Sequence, residues 1–204
     1  MRTQGSTLDL ILAAAEEEFL ERGYEAAALR SIAGRAGVTT GALYGYFRNK
    51  QELFGALVDT EYHHMLDLYD QILLDFQKMP AREQMEQMDT YTARGMEQMS
   101  EYIYSHWNAF KLLLCRSEGT QYTHLVEEMA WRDTQATDRF SQTSQEAGVA
   151  LAAVNPTLAR MLTYSMFSNF FEMVRRDLPK EETRQYITQL LQFYTAGWEK
   201  LWSL

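Results

Sequence analysis

The chain has 204 residues, of which 46% are hydrophobic and 23% are charged, and its net charge is −9. This composition is typical of a globular protein and excludes a disordered or fibrous one. The sequence holds neither an uncharged apolar run of about 18 residues nor an apolar stretch at its start. We therefore expect a soluble, cytoplasmic protein that does not enter a membrane.

Charge is distributed unevenly along the chain. Residues 1–50 hold six basic and six acidic residues, so the whole acidic excess falls in residues 51–204. Between residues 22 and 50, five basic residues stand against one acidic residue, Glu25. This basic stretch is the part of the chain suited to bind a polyanion such as DNA.

Apolar residues recur every three to four positions along nearly the whole chain, which predicts an all-α protein of about nine helices. Ser6 or Thr7 is expected to begin the first helix and Gly23 to end it, while Gly37 ends the second. The predicted helices span 7–22, 28–36, 40–46, 50–75, 81–105, 107–115, 121–147, 156–177 and 180–202.

The second and third helices are short and are joined by a tight turn that contains Gly37. Two helices connected in this way form a helix-turn-helix, which places its second helix in the major groove of DNA. The small apolar core between them is expected to consist of Ile32, Ala33, Val38 and Leu43. The remaining residues of the recognition helix, the third helix of the chain, are small or carry hydroxyl groups. Small residues let the backbone approach base edges closely.

Three runs in this region, Leu29–Ala33, Ala36–Phe47 and Asn49–Leu53, resemble the DNA-binding signature of the TetR family. Residues 13–24 also match the first helix of the family, so the resemblance covers about residues 8–55, roughly a quarter of the chain. One departure is Ala28, where the family usually has a threonine that caps the second helix. Loss of such a cap costs about 1 kcal/mol of helix stability.

The resemblance implies an all-α homodimer that regulates transcription, usually as a repressor that a small ligand releases from a palindromic operator in double-stranded DNA. It also implies two domains: a helix-turn-helix DNA-binding domain at 1–50, with three helices, and a helical ligand-sensing and dimerisation domain at 51–204. The helix at 50–75 would link them.

The same resemblance assigns roles to eight residues around the helix-turn-helix. The start of the recognition helix would contact base edges and phosphates, and the aromatic residues, Lys50 and Arg30 would contact the DNA backbone. Taken singly, each tyrosine is equally well explained as a surface aromatic, Arg30 as a solvated charge and Lys50 as a partner of Glu52. The eight candidate residues are Arg30, Thr39, Thr40, Gly41, Ala42, Tyr44, Tyr46 and Lys50.

Residues 85–175 are rich in methionine and aromatic side chains, which suit a cavity for a small hydrophobic or aromatic ligand. Residues at helical spacing are more often plain core, so no single residue is assigned to the ligand site. The set is Met85, Met88, Met96, Met99, Tyr102, Trp107, Phe110, Tyr122, Trp131, Phe140, Met166, Phe167 and Phe171.

The last two helices carry wide apolar stripes, which we expect to form the dimer interface together with Trp202. The stripe on the first of these helices consists of Leu158, Met161, Leu162, Ser165, Met166 and Phe170. The stripe on the last helix consists of Ile187, Leu190, Leu191, Tyr194, Trp198 and Leu201.

No motif predicts an enzyme, a cofactor or a metal site. The chain lacks a glycine-rich phosphate loop, a nucleophile elbow and metal ligands at positions i and i+4. The single cysteine, Cys115, has no disulfide partner, and the four histidines show no zinc spacing. The alternatives that stay open are a helical adaptor that binds only protein and an activator that requires a ligand.

Overall fold

A computed structural model describes residues 6–149 and 151–203. Within these ranges the chain is helical, with nine α-helices of seven or more residues, one four-residue helical turn and one short 3-10 segment. The helices are α1 (Thr7–Ala26), α2 (Leu29–Arg35), α3 (Thr40–Tyr46), α4 (Lys50–Gln77), α5 (Ala81–Ser105), α6 (Trp107–Cys115), α7 (Leu125–Glu146), α8 (Pro156–Phe170), the turn α9 (Glu172–Arg175) and α10 (Lys180–Trp202). The predicted all-α class is confirmed.

Three of the predicted helices differ from the structure in their continuity. The first helix resumes beyond Gly23, which interrupts it at φ 75° and ψ 165°, a conformation that glycine adopts without a steric penalty. The predicted helix at 121–147 begins with a separate 3-10 segment, Gln121–His124, whose Tyr122 backbone N–H donates to the Thr120 hydroxyl at 3.1 Å. The predicted helix at 156–177 is divided into α8 and α9.

The chain divides into two compact units. The first unit contains residues up to 63 together with 106–123, and the second contains 64–105 and the residues from 124 onward. The functional domain predicted at 1–50 falls inside the first unit, which also includes the beginning of α4 and all of α6. Helix α4 is therefore the continuous element that passes from one unit to the other.

The core of the first unit fixes the beginning of α4 against α1. Phe19 of α1 and Phe54 of α4 are both fully buried. Their rings meet edge to face with 5.1 Å between centroids, and Tyr24 packs on Phe54 at 5.4 Å in the same manner. Burying each large side chain contributes about 1.5–3 kcal/mol. These aromatic contacts hold the beginning of α4 against α1.

A buried carboxylate joins α1 to α2. Glu18 has no exposed surface, and its Oε2 accepts a hydrogen bond from the Ser31 hydroxyl at 2.7 Å and lies 3.1 Å from Arg35 Nε. Its Oε1 lies 3.4 Å from Arg22 Nε, within ion-pair distance but without hydrogen-bond geometry. Ser31 and Arg35 belong to α2, so their contacts with this carboxylate connect α2 to α1, whereas the Arg22 pair lies within α1.

In the second unit, α7 packs along α8 and α5 packs along α10. Phe167, Phe170 and Met99 are fully buried at the centre. Polar side chains close the same contacts at the edges, since the Tyr104 hydroxyl donates to the Leu178 carbonyl at 2.8 Å and the Tyr186 hydroxyl donates to the Asn169 carbonyl at 2.6 Å.

The uncapped start of α2 generates a stability prediction. Ala28 holds the N-cap position in an extended conformation, is exposed and makes no side-chain cap. Replacing Ala28 by threonine supplies the missing acceptor for a backbone N–H, and we expect the free energy of unfolding to rise by about 1 kcal/mol. Chemical denaturation at one fixed protein concentration measures this change.

Ala28→Val is the matched control, because valine has the shape of threonine without its hydroxyl. An equal gain in both variants would show that the capping hydrogen bond is not its cause.

Candidate DNA-binding site

The turn between α2 and α3 has the geometry of a helix-turn-helix. Gly37 adopts φ +68°, which lets the chain reverse, and the Val38 N–H bonds back to the Ala33 carbonyl at 3.0 Å. Ile32 and Leu43 are fully buried and Ala33 nearly so, while Val38 is half-buried. The four residues predicted to form the small core therefore lie where the sequence analysis expected them.

Thr39 determines where α3 begins. Its Oγ1 accepts the Ala42 backbone N–H at 3.1 Å, so it serves as the N-cap and Thr40 is the first helical residue. A capping hydroxyl still has its own proton to donate. Thr39 is thus held in place by the fold while it keeps one donor for an acceptor outside the protein.

Helix α3 buries one side and exposes the other. Leu43 and Phe47 point into the core, whereas Tyr44 and Tyr46 keep 53% and 48% of their surface exposed. Large aromatic side chains that stay this exposed have a polar tip in water and a flat apolar face open to a partner. The six predicted site residues of this helix and its cap are all exposed or half-exposed, as is Gly45, and we name the six the α3 face: Thr39, Thr40, Gly41, Ala42, Tyr44 and Tyr46.

The basic residues around the helix-turn-helix fall into two groups. Arg22 and Arg35 pair with Glu18, and Arg35 also forms a two-bond contact with Glu21 and lies 3.6 Å from Glu17. The hydrogen bond between Arg35 and Glu21 lowers the pKa of the Glu21 carboxyl group and raises the pKa of the Arg35 guanidinium. The basic excess along residues 22–50 is therefore smaller in space than in sequence, because acidic residues of α1 neutralise part of it.

Lys50 is held by backbone carbonyls. Its Nζ donates to the Glu25 carbonyl at 2.9 Å and to the Ala27 carbonyl at 3.1 Å, and it lies 4.6 Å above the Tyr24 ring. The sequence analysis left open an ion pair with Glu52, but that carboxylate instead accepts the Arg48 backbone N–H at 2.7 Å. Of the three ammonium protons on Lys50, one remains for a phosphate.

Unlike the paired Arg22 and Arg35, which are also exposed, the second group consists of two exposed cations, Arg30 and Arg48. Across residues 6–149 and 151–203, neither guanidinium has an acidic partner. Arg30 was among the predicted site residues and Arg48 was not, although it lies in the segment that joins α3 to α4. Two observations identify Arg48: it lies just after α3 in the chain, and no carboxylate of the described residues neutralises it.

The second unit contains a cavity of about 140 Å³ lined by α4, α5, α7, α8 and α10. Five members of the predicted methionine and aromatic set line it: Met88, Met96, Met99, Phe140 and Met166. Others do not, since Trp131 keeps 62% of its surface exposed and Trp107, Phe110 and Tyr122 belong to the first unit.

The described residues contain neither a membrane-spanning helix nor a metal-binding cluster. No helix among them is long and apolar enough to cross a membrane. No group of three or more His, Cys, Asp or Glu side chains in the same ranges is arranged to hold a metal ion.

Comparison with known proteins identifies the N-terminal region. The sequence model of the family described as bacterial regulatory proteins, tetR family, matches residues 11–57. The HTH-type transcriptional repressor BepR of Brucella suis biovar 1 (strain 1330) is 46% identical over 52 residues, which are 26% of this chain and 25% of BepR. The match to such relatives thus spans about a quarter of their length.

Two further comparisons cover nearly the whole chain. The uncharacterized HTH-type transcriptional regulator YhgD of Bacillus subtilis (strain 168) is 24% identical over 191 residues, covering 92% of this chain and 93% of YhgD. The solved structure of the transcriptional regulator FadR from Bacillus subtilis, in complex with stearoyl-CoA, shares the fold with a TM-score of 0.55 and 18% identity, covering 93% of this chain and 98% of that one. The region at residues 11–57, which holds the helix-turn-helix, is thus similar to regulators of the tetR family, and the comparisons over nearly the whole chain show a shared fold.

Proposed function

We propose that the protein is a homodimeric transcriptional repressor, which binds a palindromic operator in the cytoplasm and leaves it when a small molecule binds. The observation that carries this proposal is the α3 face, an exposed helix of small and hydroxyl-bearing residues, together with two cations that are unpaired within the described chain, Arg30 in the first turn of α2 and Arg48 just after α3. A protein-binding adaptor has no need of such a basic surface on a chain with a net charge of −9.

The residues of this site divide the work of recognition. Arg30, Arg48 and the hydroxyls of Tyr44 and Tyr46 contact phosphates and set the position of the protein on the duplex. The small residues at the start of α3 lie against base edges, where a threonine hydroxyl or methyl group distinguishes one base from another. Lys50 has two roles. Two of its ammonium protons bond to the Glu25 and Ala27 carbonyls and anchor α4 to the segment before α2, and the third proton donates to a phosphate.

Dimerisation through α8 and α10 is supported by apolar side chains that stay exposed in the single chain. Phe193 keeps 74% of its surface and Met161 keeps 65%. The predicted stripes require correction, because Met166, Phe170, Ile187, Leu191, Tyr194 and Trp202 are buried within the chain. The exposed apolar residues of the two helices are Leu158, Met161, Tyr164 and Phe193.

Helix α4 connects ligand binding to DNA release. Its Tyr69, Ile72 and Phe76 line the cavity of the second unit, and its first turns pack against α1 through Phe54. A ligand that moves α4 changes the separation of the two α3 faces in the dimer. To convert a mostly bound population into a mostly released one, the ligand must favour the released form by about 5.5 kcal/mol.

Selection of DNA from a random pool tests the proposal as a whole. The purified protein is expected to enrich a palindrome whose half-sites lie about one helical turn of DNA apart or somewhat more. If a folded, dimeric protein enriches no DNA sequence, it is not a repressor that binds its operator without a ligand. If it enriches the palindrome only when a ligand is present, it is the ligand-requiring activator.

The two unpaired arginines generate a quantitative prediction. Arg30→Ala and Arg48→Ala are each expected to weaken binding about equally on all sequences and to reduce the salt dependence of binding by roughly one unit of slope. Changes at Thr40 or Ala42 are expected to alter sequence preference instead. Titrations at several salt concentrations, on the selected site and on a scrambled one, measure both effects.

Arg82→Ala is the control for this series, since Arg82 is exposed on α5 in the second unit and its loss changes the net charge by the same amount. If Arg82→Ala weakens DNA binding as much as Arg48→Ala does, the effect comes from overall charge and the assignment of Arg48 is wrong.

The exposed face of α10 yields a prediction about assembly. An aspartate at Phe193 would place a charge in the proposed interface, so we expect Phe193→Asp to shift the protein from dimer to monomer at micromolar concentration, as measured by sedimentation. Leu74→Asp is the control, because Leu74 is 49% exposed but lies on α4. A Phe193→Asp protein that stays dimeric places the interface elsewhere.

A further inference from the structure

The cavity of the second unit has one charged residue in its wall. Asp133 of α7 lines it, and the other lining residues are apolar, aromatic or uncharged polar side chains. No lysine, arginine or histidine is among them. All these residues lie in the described parts of the chain, so the wall as a whole carries a single acidic group.

Asp133 has hydrogen-bond partners but no cation. The Tyr69 hydroxyl donates to Asp133 Oδ1, and the Thr163 hydroxyl also bonds to the carboxylate. In residues 6–149 and 151–203, no basic side chain forms an ion pair with it. Its neighbour Arg132 is instead paired with Asp70 and Glu128. A carboxylate in an apolar cavity with neutral donors alone keeps an uncompensated charge.

The surroundings of Asp133 raise the energy of that charge. Burial raises the pKa of Asp133, and the hydrogen bonds from Tyr69 and Thr163 offset only part of this effect. Burial and the nearby Asp133 charge raise the pKa of Tyr69 well above its usual value, so this hydroxyl stays protonated and remains a donor. A positive charge delivered next to Asp133 would stabilise its ionised form.

The other walls favour an apolar body with aromatic faces. Trp198 and Trp202 are stacked with 5.0 Å between ring centroids, and Phe140 packs on Trp202 at 5.6 Å. Aromatic faces attract cations as well as apolar groups. An anionic ligand such as a fatty carboxylate would meet a second negative charge at Asp133 and no basic residue to balance it.

We infer that this cavity binds a small organic cation with an apolar or aromatic body, whose charged group pairs with the Asp133 carboxylate. The inference rests on the proposed function, since it names the class of ligand to which the regulator responds. The volume of about 140 Å³ sets the size. It is close to that of cavities of about 150 Å³ that hold one benzene ring. A single ring therefore fills the cavity as it stands, and the flexible side chains of Met88, Met96 and Met99 must move to admit an ammonium group beside the ring.

Calorimetric titration with two probes of the same shape tests the inference on the unmodified protein. Phenyltrimethylammonium carries a positive charge, and tert-butylbenzene is its neutral counterpart. We expect the cation to bind at least ten-fold more tightly than the neutral probe. If the neutral probe binds as tightly as the cation, or if benzoate binds more tightly than either, the inference is overturned.

Variants then locate the charge that the cation requires. Asp133→Asn is expected to weaken binding of phenyltrimethylammonium at least ten-fold and to leave tert-butylbenzene binding within two-fold, which also shows that the cavity is intact. Asp138→Asn removes the same charge from an exposed position on α7 and is expected to change neither. Unchanged cation binding in Asp133→Asn would refute the role of Asp133.

These titrations contain no DNA, so their outcome is independent of the repressor proposal. Loss of cation binding leaves the DNA-binding result standing, while a protein that binds the cation and selects no DNA site refutes the regulator and keeps the cavity assignment.

Discussion

The buried charge of Glu18 is the constraint on which the DNA-binding region depends. A carboxylate with no exposed surface needs compensation, and here the Ser31 hydroxyl of α2 donates a hydrogen bond while Arg35 of α2 and Arg22 of α1 supply positive charge. Because the partners come from both helices, α2 can take only a narrow range of positions on α1. Helix α3 is then placed by its short turn and by the contact of Leu43 with the same core.

Pairing within the protein also determines which cations of this region keep an uncompensated charge. The acidic residues of α1 neutralise Arg22 and Arg35, and the carbonyls before α2 take two protons of Lys50. The cations that remain without an acidic partner in the described chain, Arg30 and Arg48, are fewer than the sequence suggests, and they stand at the start of α2 and just after α3. The charge of this region is therefore defined by which cations lack partners rather than by how many charges occur.

Most of the fold could be predicted from the sequence, because caps, glycines and apolar spacing are local signals. Thr39, Gly37 and the run around Leu43 determine the helix-turn-helix within a few residues of each other. The partners of Arg35 and Lys50 could not be predicted, since they lie 14 or more positions away along the chain. They come together only when the helices pack on one another. For the same reason the apolar stripes of α8 and α10 did not reveal which side another helix of the same chain covers.

Helix α4 has 28 residues without an interruption. At about 1.5 Å per residue it is a rod of about 40 Å. A tilt of only about 5° at one end moves the other end by about 3.5 Å, which is close to the rise of about 3.4 Å between successive nucleotides on one DNA strand. Under the proposed mechanism, a tilt of this size would therefore be large enough to change the register on DNA by one step of the sequence being read.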